Sequence, residues 1–177
     1  MTHYPLVVSA KGRSFPTYAV GLMAFIINPQ LQFLFLKQPQ RRGWEVVNGG
    51  LEADETLLEG MYREIKEEAG PDIQVKPITT LHAMNFKYDD TIPKMISITY
   101  LFEYTGGQVI PGDDMRGSEV TWASYDDIAS GSIELIAPYK KDWLFEHATF
   151  LYQSMRPLEI SQFIEDPSQA RSKYESK

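Results

Sequence analysis

The chain has 177 residues, 43% of them hydrophobic, and a formal net charge of −7 from 17 Lys and Arg against 24 Asp and Glu. That length suits one domain with a substantial core, and the composition argues against wholesale disorder. The acidic balance disfavours non-specific DNA or membrane binding, and the lack of cysteine excludes disulfides, thiolate catalysis and zinc–thiolate sites.

A cysteine-free chain fits a cytoplasmic protein. The N-terminal stretch MTHYPLVVSAKGRSF has no basic segment before its short apolar run, so it does not read as a signal peptide. The longest apolar run, Ala19 to Ile27, contains Gly21 and is too short to span a bilayer. It reads as a buried strand.

In chain order, TYAVGLMAFIIN (17–28) is β-branched and apolar, and predicts a central strand. Asn28-Pro29-Gln30 is a turn. LQFLFLK (31–37) is the returning strand, QPQRRG (38–43) a basic loop, and WEVV (44–47) another short strand. NGGLEADE then reads as a loop leading into a helix over 56–69. Asp54 or Thr56 is placed to cap its start, and Gly70-Pro71 stops it. Strands follow over 73–86 and 94–105, separated by KYDDTIP. TGGQVIPGDD is a turn-rich loop, SEVTWAS (118–124) a short strand, and 125–130 a helical turn. The amphipathic segment 139–156 predicts a helix with Leu144, Ala148, Leu151 and Met155 on one stripe. Residues 161–177 read as a polar tail behind a single domain over 1–160. A helix among more numerous strands predicts an α/β (α+β) class with a mixed sheet packed by helices.

The stretch REIKEEAG (63–70) is an electrostatic oddity. At about 100° per residue, Glu67 and Glu68 fall on either side of Glu64. Like charges so placed destabilise a helix. Leu58, Met61, Tyr62, Ile65 and Ala69 cluster on the adjoining arc, so the acids lie at the edge of the sheet-facing side. Arg63 is placed to pair with Glu59 and Glu67 at i±4. The bland reading is a solvated acidic face. The alternative is a cation site, because Mg²⁺ takes oxygen ligands from a few carboxylates together with substrate phosphates. Gly60, costly in mid-helix by up to about 1 kcal/mol relative to Ala, suggests close approach of helix backbone to sheet.

Gly49, Glu55, Arg63, Glu64, Ile65, Glu67, Glu68 and Gly70 fall at the spacing G-x5-E-x7-R-E-U-x-E-E-x-G, where U is a bulky aliphatic residue. This resembles the Nudix box, far more specific than a lone glycine motif. The resemblance extends over roughly residues 17–130. Two departures stand out. Pro71 replaces the usual last aliphatic residue, with Ile73 available to pack instead. Val47-Asn48 stands where many members have Pro-Gly or Pro-Ala.

The resemblance implies an α/β/α sandwich with a central mixed β-sheet flanked by helices. It also implies hydrolysis, with Mg²⁺ or Mn²⁺, of a nucleoside diphosphate linked to another group. Glu67 and Glu68 would be the main metal ligands, and Glu64 a further ligand or the group that orients or deprotonates water. The backbone carbonyl of Asn48 would be an extra ligand. Gly49 would shape the loop, with Glu55 and Arg63 in supporting roles. Members often recruit an acid beyond the box; Glu119 is the first candidate, with Asp113, Asp114 and Glu103 as alternatives. Members are also often homodimers.

For the substrate, Tyr88 lies 18 residues after Gly70, near the position of a Tyr that marks some dinucleoside polyphosphate hydrolases of the family. A strand-end or core Tyr is the competing reading. Arg41 and Arg42 are candidates for phosphate contact, or simply a solvated basic loop. Trp44 would either stack on a base or face the core. A nucleotide-binding sensor without turnover, and an interaction protein with a merely solvated acidic helix, are the rival readings.

Overall fold

The computed structural model describes residues 6–136 and 142–155. The predicted polar tail, the boundary at 160 and the first residues of the predicted C-terminal helix lie outside them. Among the described residues, eight strands run in chain order: β1 (Leu6–Val8), β2 (Ser14–Pro16), β3 (Ala19–Ile27), β4 (Gln32–Lys37), β5 (Val47–Gly50), β6 (Gln74–Phe86), β7 (Met95–Gly106) and β8 (Glu119–Ser124). Helix α1 (Leu57–Ala69) lies between β5 and β6. Helices α2 (Tyr125–Ala129) and α3 (Asp142–Ser154) follow β8.

β1 and β2 form a separate hairpin that the sequence reading did not anticipate. The other six strands form one mixed sheet in the order β6-β7-β3-β4-β8, with β5 also paired to β3. β3 and β7 run parallel; the remaining pairs are antiparallel. On one edge β3 is shared, its N-terminal half by β5 and its end by β4.

Alternation along β3 builds the two cores. Leu22, Ala24 and Ile26 point to α1, where they meet Leu58, Met61, Ile65 and Ala69. Met23, Phe25 and Ile27 point to α3, where they meet Leu144, Phe145 and Ala148. The result is the expected layering of helix, mixed sheet and helix. Ile73 packs in the α1-side core, filling in for the aliphatic residue that Pro71 replaces.

The α1 stripe is the one the wheel gives, with Tyr62 half-buried at its margin. Thr56, rather than Asp54, caps the helix. Its hydroxyl accepts from the Glu59 N–H, and Glu59 Oε2 accepts from the Thr56 N–H at 2.8 Å, a reciprocal capping box. At the other end Gly70 adopts φ +108°, and a Cβ there would come 2.5 Å from the Ile110 carbonyl oxygen. Only glycine fits that conformation and that spacing.

One element differs from the sequence reading. Residues 44–47 are not a regular strand: Trp44 and Glu45 make isolated bridges to Leu135 and Leu36. Regular pairing runs instead through Val47–Gly50, so Asn48-Gly49-Gly50 is strand, not loop. Glycines are ordinarily depleted in strands. Here Gly49 faces α1, and a Cβ on it would fall on the Glu64 carboxylate, so its missing side chain is what lets a helix acid lie against the strand.

On the α3 side, Phe145 stacks on Phe25 at 4.4 Å and meets the edge of Phe33 at 5.1 Å. Phe145 is fully buried. Phe145→Ala is expected to cost about 3–5 kcal/mol, read as a lower urea midpoint at unchanged m. A loss under about 1 kcal/mol would mean that α3 does not anchor this core.

Candidate metal and phosphate site

α1 carries its acids along the edge facing β5. Glu64 and Glu68 are 8% and 6% exposed, whereas the Glu67 side chain is 39% exposed. Buried carboxylates need partners, and Arg63 supplies most of them. Its Nε donates to Glu55 Oε1 at 2.7 Å, and Nη2 to Glu55 Oε2 at 3.1 Å. Nη1 donates to both Glu64 Oε1 and Glu67 Oε2, each at 2.8 Å. Nη2 also donates to the Gly50 carbonyl at 2.8 Å. All five guanidinium N–H donors are thereby used. The sequence expectation for Arg63 is corrected in part: Glu67 is a partner, but Glu59 is committed to the helix cap and Glu55 takes its place.

Glu68 is held differently. Its Oε2 accepts from the backbone N–H of Asn48 at 2.8 Å. The Leu51 N–H bonds the Val20 carbonyl, and antiparallel ladders alternate. Asn48 therefore turns its own N–H and carbonyl away from β3. Gly60 faces Leu51, Glu55 and Leu22; a Cβ there would lie 2.9 Å from both Glu55 Oε2 and Leu51 Cδ1. Its bare backbone admits the loop that delivers Glu55, a close approach to loop as well as to sheet.

The donor set fits a hard divalent cation. Glu64, Glu67, Glu68 and the Asn48 carbonyl offer only oxygen. The Glu64 and Glu67 oxygens that share Arg63 Nη1 are separated by at most twice the 2.8 Å bond. Among the described residues, no three acidic or imidazole side chains form a preformed cage. The Arg63 guanidinium lies between the two carboxylates and neutralises them.

The remaining sequence candidates sit on other elements; of these, the turn carrying Asp113 packs against α1, a Cβ on Gly112 coming 2.8 Å from the Glu67 carbonyl oxygen. Glu119 faces Lys37 across the β4–β8 pair, with its carboxylate 3.0 Å from Nζ and its side chain 66% exposed. Glu103 accepts from the Tyr152 hydroxyl on the α3 side of the sheet. Asp113 is exposed in a short 3-10 turn, and the Asp114 side chain lies outside the described set. Arg42 is exposed in its loop, while Arg41 bonds the buried Glu45. Trp44 packs toward the α3-side core with Lys37 over its ring, which favours the core-facing reading. Tyr88 is exposed beyond the end of β6, not in the core. Glu45, an acid that sequence reasoning passed over, is 3% exposed; its place two residues before Val47 on the α1-facing register was the available signal.

A NUDIX domain model matches residues 17–146. The chain belongs to the Nudix family. A MutT-like protein of Streptomyces ambofaciens is 23% identical over 69% of the chain and 74% of its own length. The 8-oxo-dGDP phosphatase NUDT18 of Mus musculus is 30% identical over 80% of the chain, but the chain spans only 42% of that protein. The crystal structure of a MutT protein from Methanosarcina mazei Go1 aligns with TM-score 0.59 at 26% identity, covering 77% of this chain and 96% of that one. Nudix hydrolases generally need divalent cations and act on small nucleotide substrates. Among the described residues, no helix is long and apolar enough to cross a membrane.

The Nudix residues also set the pH response. Hydrogen bonds from Arg63 hold the Glu55 carboxyl below its ordinary value of 4.5. Bonds from Thr56 do the same for Glu59, and bonds from Ser124 lower Asp127. A depressed carboxyl contributes stability that is full above its unfolded pKa and lost as pH falls through the folded one. Thermal stability is therefore expected to hold above about pH 5 and to fall steadily below it. Glu55→Gln is expected to shallow that fall, and an unchanged acid limb in melts of this variant would contradict the Arg63 contribution.

Proposed function

We propose that this Nudix protein is a Mg²⁺-dependent pyrophosphohydrolase. Its reaction is attack of water at phosphorus in a nucleoside diphosphate linked to another moiety. The substrate classes are nucleoside triphosphates, dinucleoside polyphosphates and nucleotide sugars. The observation that carries the reading is the set of Glu64, Glu67 and Glu68 on one helix edge, with Glu64 and Glu67 joined through Arg63 and Glu68 held by the Asn48 N–H.

Glu67 and Glu68 would hold the cation, with Glu64 and the Asn48 carbonyl as further oxygens. When bound, Mg²⁺ or Mn²⁺ supplies charge neutralisation at phosphate oxygens and lowers the pKa of a coordinated water. Glu64, lying over Gly49, would be a further ligand or the group that orients or deprotonates the attacking water. Glu67, the most exposed of the three, is the carboxylate freest to exchange Arg63 for a cation. Arg63 keeps Glu55 and the Gly50 carbonyl, and so holds the strand end against the helix. Glu119 joins the chemistry only by leaving Lys37. The carboxylate edge needs no protein nucleophile, because phosphoryl transfer rests on positioning and electrostatics.

A nucleotide-binding sensor with little turnover is the second reading. It is favoured by Arg63, which satisfies two of the acids without a cation. The name of the mouse relative adds 8-oxo-dGDP to the substrates worth testing.

The test is a substrate panel with Mg²⁺, comparing wild type with Glu67→Gln and Glu68→Gln. Each variant is expected to lose about a hundredfold or more in kcat on the best substrate, with little change in melting temperature. Variants that match wild type would place the chemistry elsewhere. Nucleotide binding by wild type without turnover of any panel member would favour the sensor.

A further inference from the structure

Helix α3 has a second arc that no described element covers. Leu144, Phe145 and Ala148 turn toward the sheet and are buried. On the opposite arc Trp143 and Phe150 remain 49% and 61% exposed. They stand seven residues apart, so at about 100° per residue they differ by only about 20° around the helix. Glu146 and His147 lie between them on the same arc, both exposed. These four side chains line one concavity of about 470 Å³. The solvent-facing arc of a helix is ordinarily polar. A single exposed apolar residue is commonplace, but two large aromatics on one stripe mark a contact surface.

Two further observations say what the surface fits. Trp143 is held in place: the His82 ring of β6 meets it edge-on at 5.4 Å, with 88° between the planes. A fixed Trp is a good interface anchor, because little freedom is lost on binding. The order of the stripe is also self-complementary. Trp143 and Phe150 stand equally far from the midpoint between Glu146 and His147. A two-fold axis through that midpoint, with two copies of α3 antiparallel, sets each Trp143 against a Phe150 and each Glu146 against a His147. An imidazole N–H donates to a carboxylate whether or not the ring is charged. Among the described residues, neither the Glu146 nor the His147 side chain has a hydrogen-bond or ion-pair partner within the chain.

We propose that this stripe is a two-fold contact between two copies of the chain, α3 antiparallel to the partner's α3, with the Trp–Phe and Glu–His pairs each made twice. An isologous interface must supply both halves of every contact from one patch, and this patch does. A helix that lies on a membrane surface is rich in Lys and Arg on its polar side. α3 carries neither, and Asp142 and Glu146 are its exposed acids. One helix face is smaller than the roughly 800 Å² per partner of a standard interface, so the dimer is a weak one. The contact lies across the sheet from α1 and leaves the carboxylate edge open. The inference goes beyond the hydrolase reading and does not rest on it.

The test is sedimentation equilibrium of the full chain from about 1 to 500 µM, without metal or nucleotide. A reversible monomer–dimer equilibrium is expected, with a dissociation constant of about 10–100 µM. Phe150→Glu, at an exposed position, is expected to stay monomeric at every concentration while melting like wild type. His147→Glu sets two carboxylates together and is expected to weaken the dimer about tenfold; Glu146→His, which loses the pair, is expected to weaken it about fivefold. Combining the two rebuilds the pair in reverse and is expected to return the dissociation constant to within about threefold of wild type. A wild type that is monomeric throughout, a dimer that Phe150→Glu leaves intact, or a combined variant no tighter than the single ones would overturn the proposal. None of these readouts involves turnover, so failure here and failure of the hydrolase reading are separately visible.

Discussion

The site is organised by one guanidinium. Arg63 reaches Glu55 on the loop before α1, Glu64 and Glu67 on α1 itself, and the Gly50 carbonyl at the end of β5. Three like charges on a helix edge would repel. Pairing two of them, Glu64 and Glu67, with a planar fork of fixed donors makes the crowding tolerable, and a Lys could not replace that geometry. The same contacts register strand, loop and helix against each other. Gly49 and Gly60 are the complementary constraint, because each removes a side chain where Arg63's partners must pass.

This arrangement also explains how acids come to be buried without a preformed cage. A charge leaving water needs compensation. In the described arrangement Arg63 gives it to Glu64, and a backbone N–H gives it to Glu68. On the proposed reading, a cation entering beside Glu67 would exchange one positive partner for another, instead of creating compensation from nothing.

Much of this was legible in the sequence. The β-branched, apolar run of 17–28 pointed to the central strand, and a 100° wheel to the buried stripe of α1. The spacing from Gly49 to Gly70 identified the family before any geometry. Other features depended on contacts that no local pattern records. Asn48-Gly49-Gly50 looked like a loop because glycine is rare in strands, yet here its missing side chains serve the neighbouring helix. Arg63 was assigned an i−4 partner, but Glu59 was already spent on the cap with Thr56. Glu119 looked free, but the β4–β8 register places it opposite Lys37. The hairpin of β1 and β2 escaped notice because its strands are only three residues long.

The central claim is that the acidic edge of α1 binds a divalent cation. The most direct measurement is Mn²⁺ binding followed by electron paramagnetic resonance, on wild type and on Glu67→Gln, without substrate. The account predicts a saturable signal in wild type that weakens about tenfold or more in the variant. Equal Mn²⁺ binding by both proteins, or none by wild type, would contradict it.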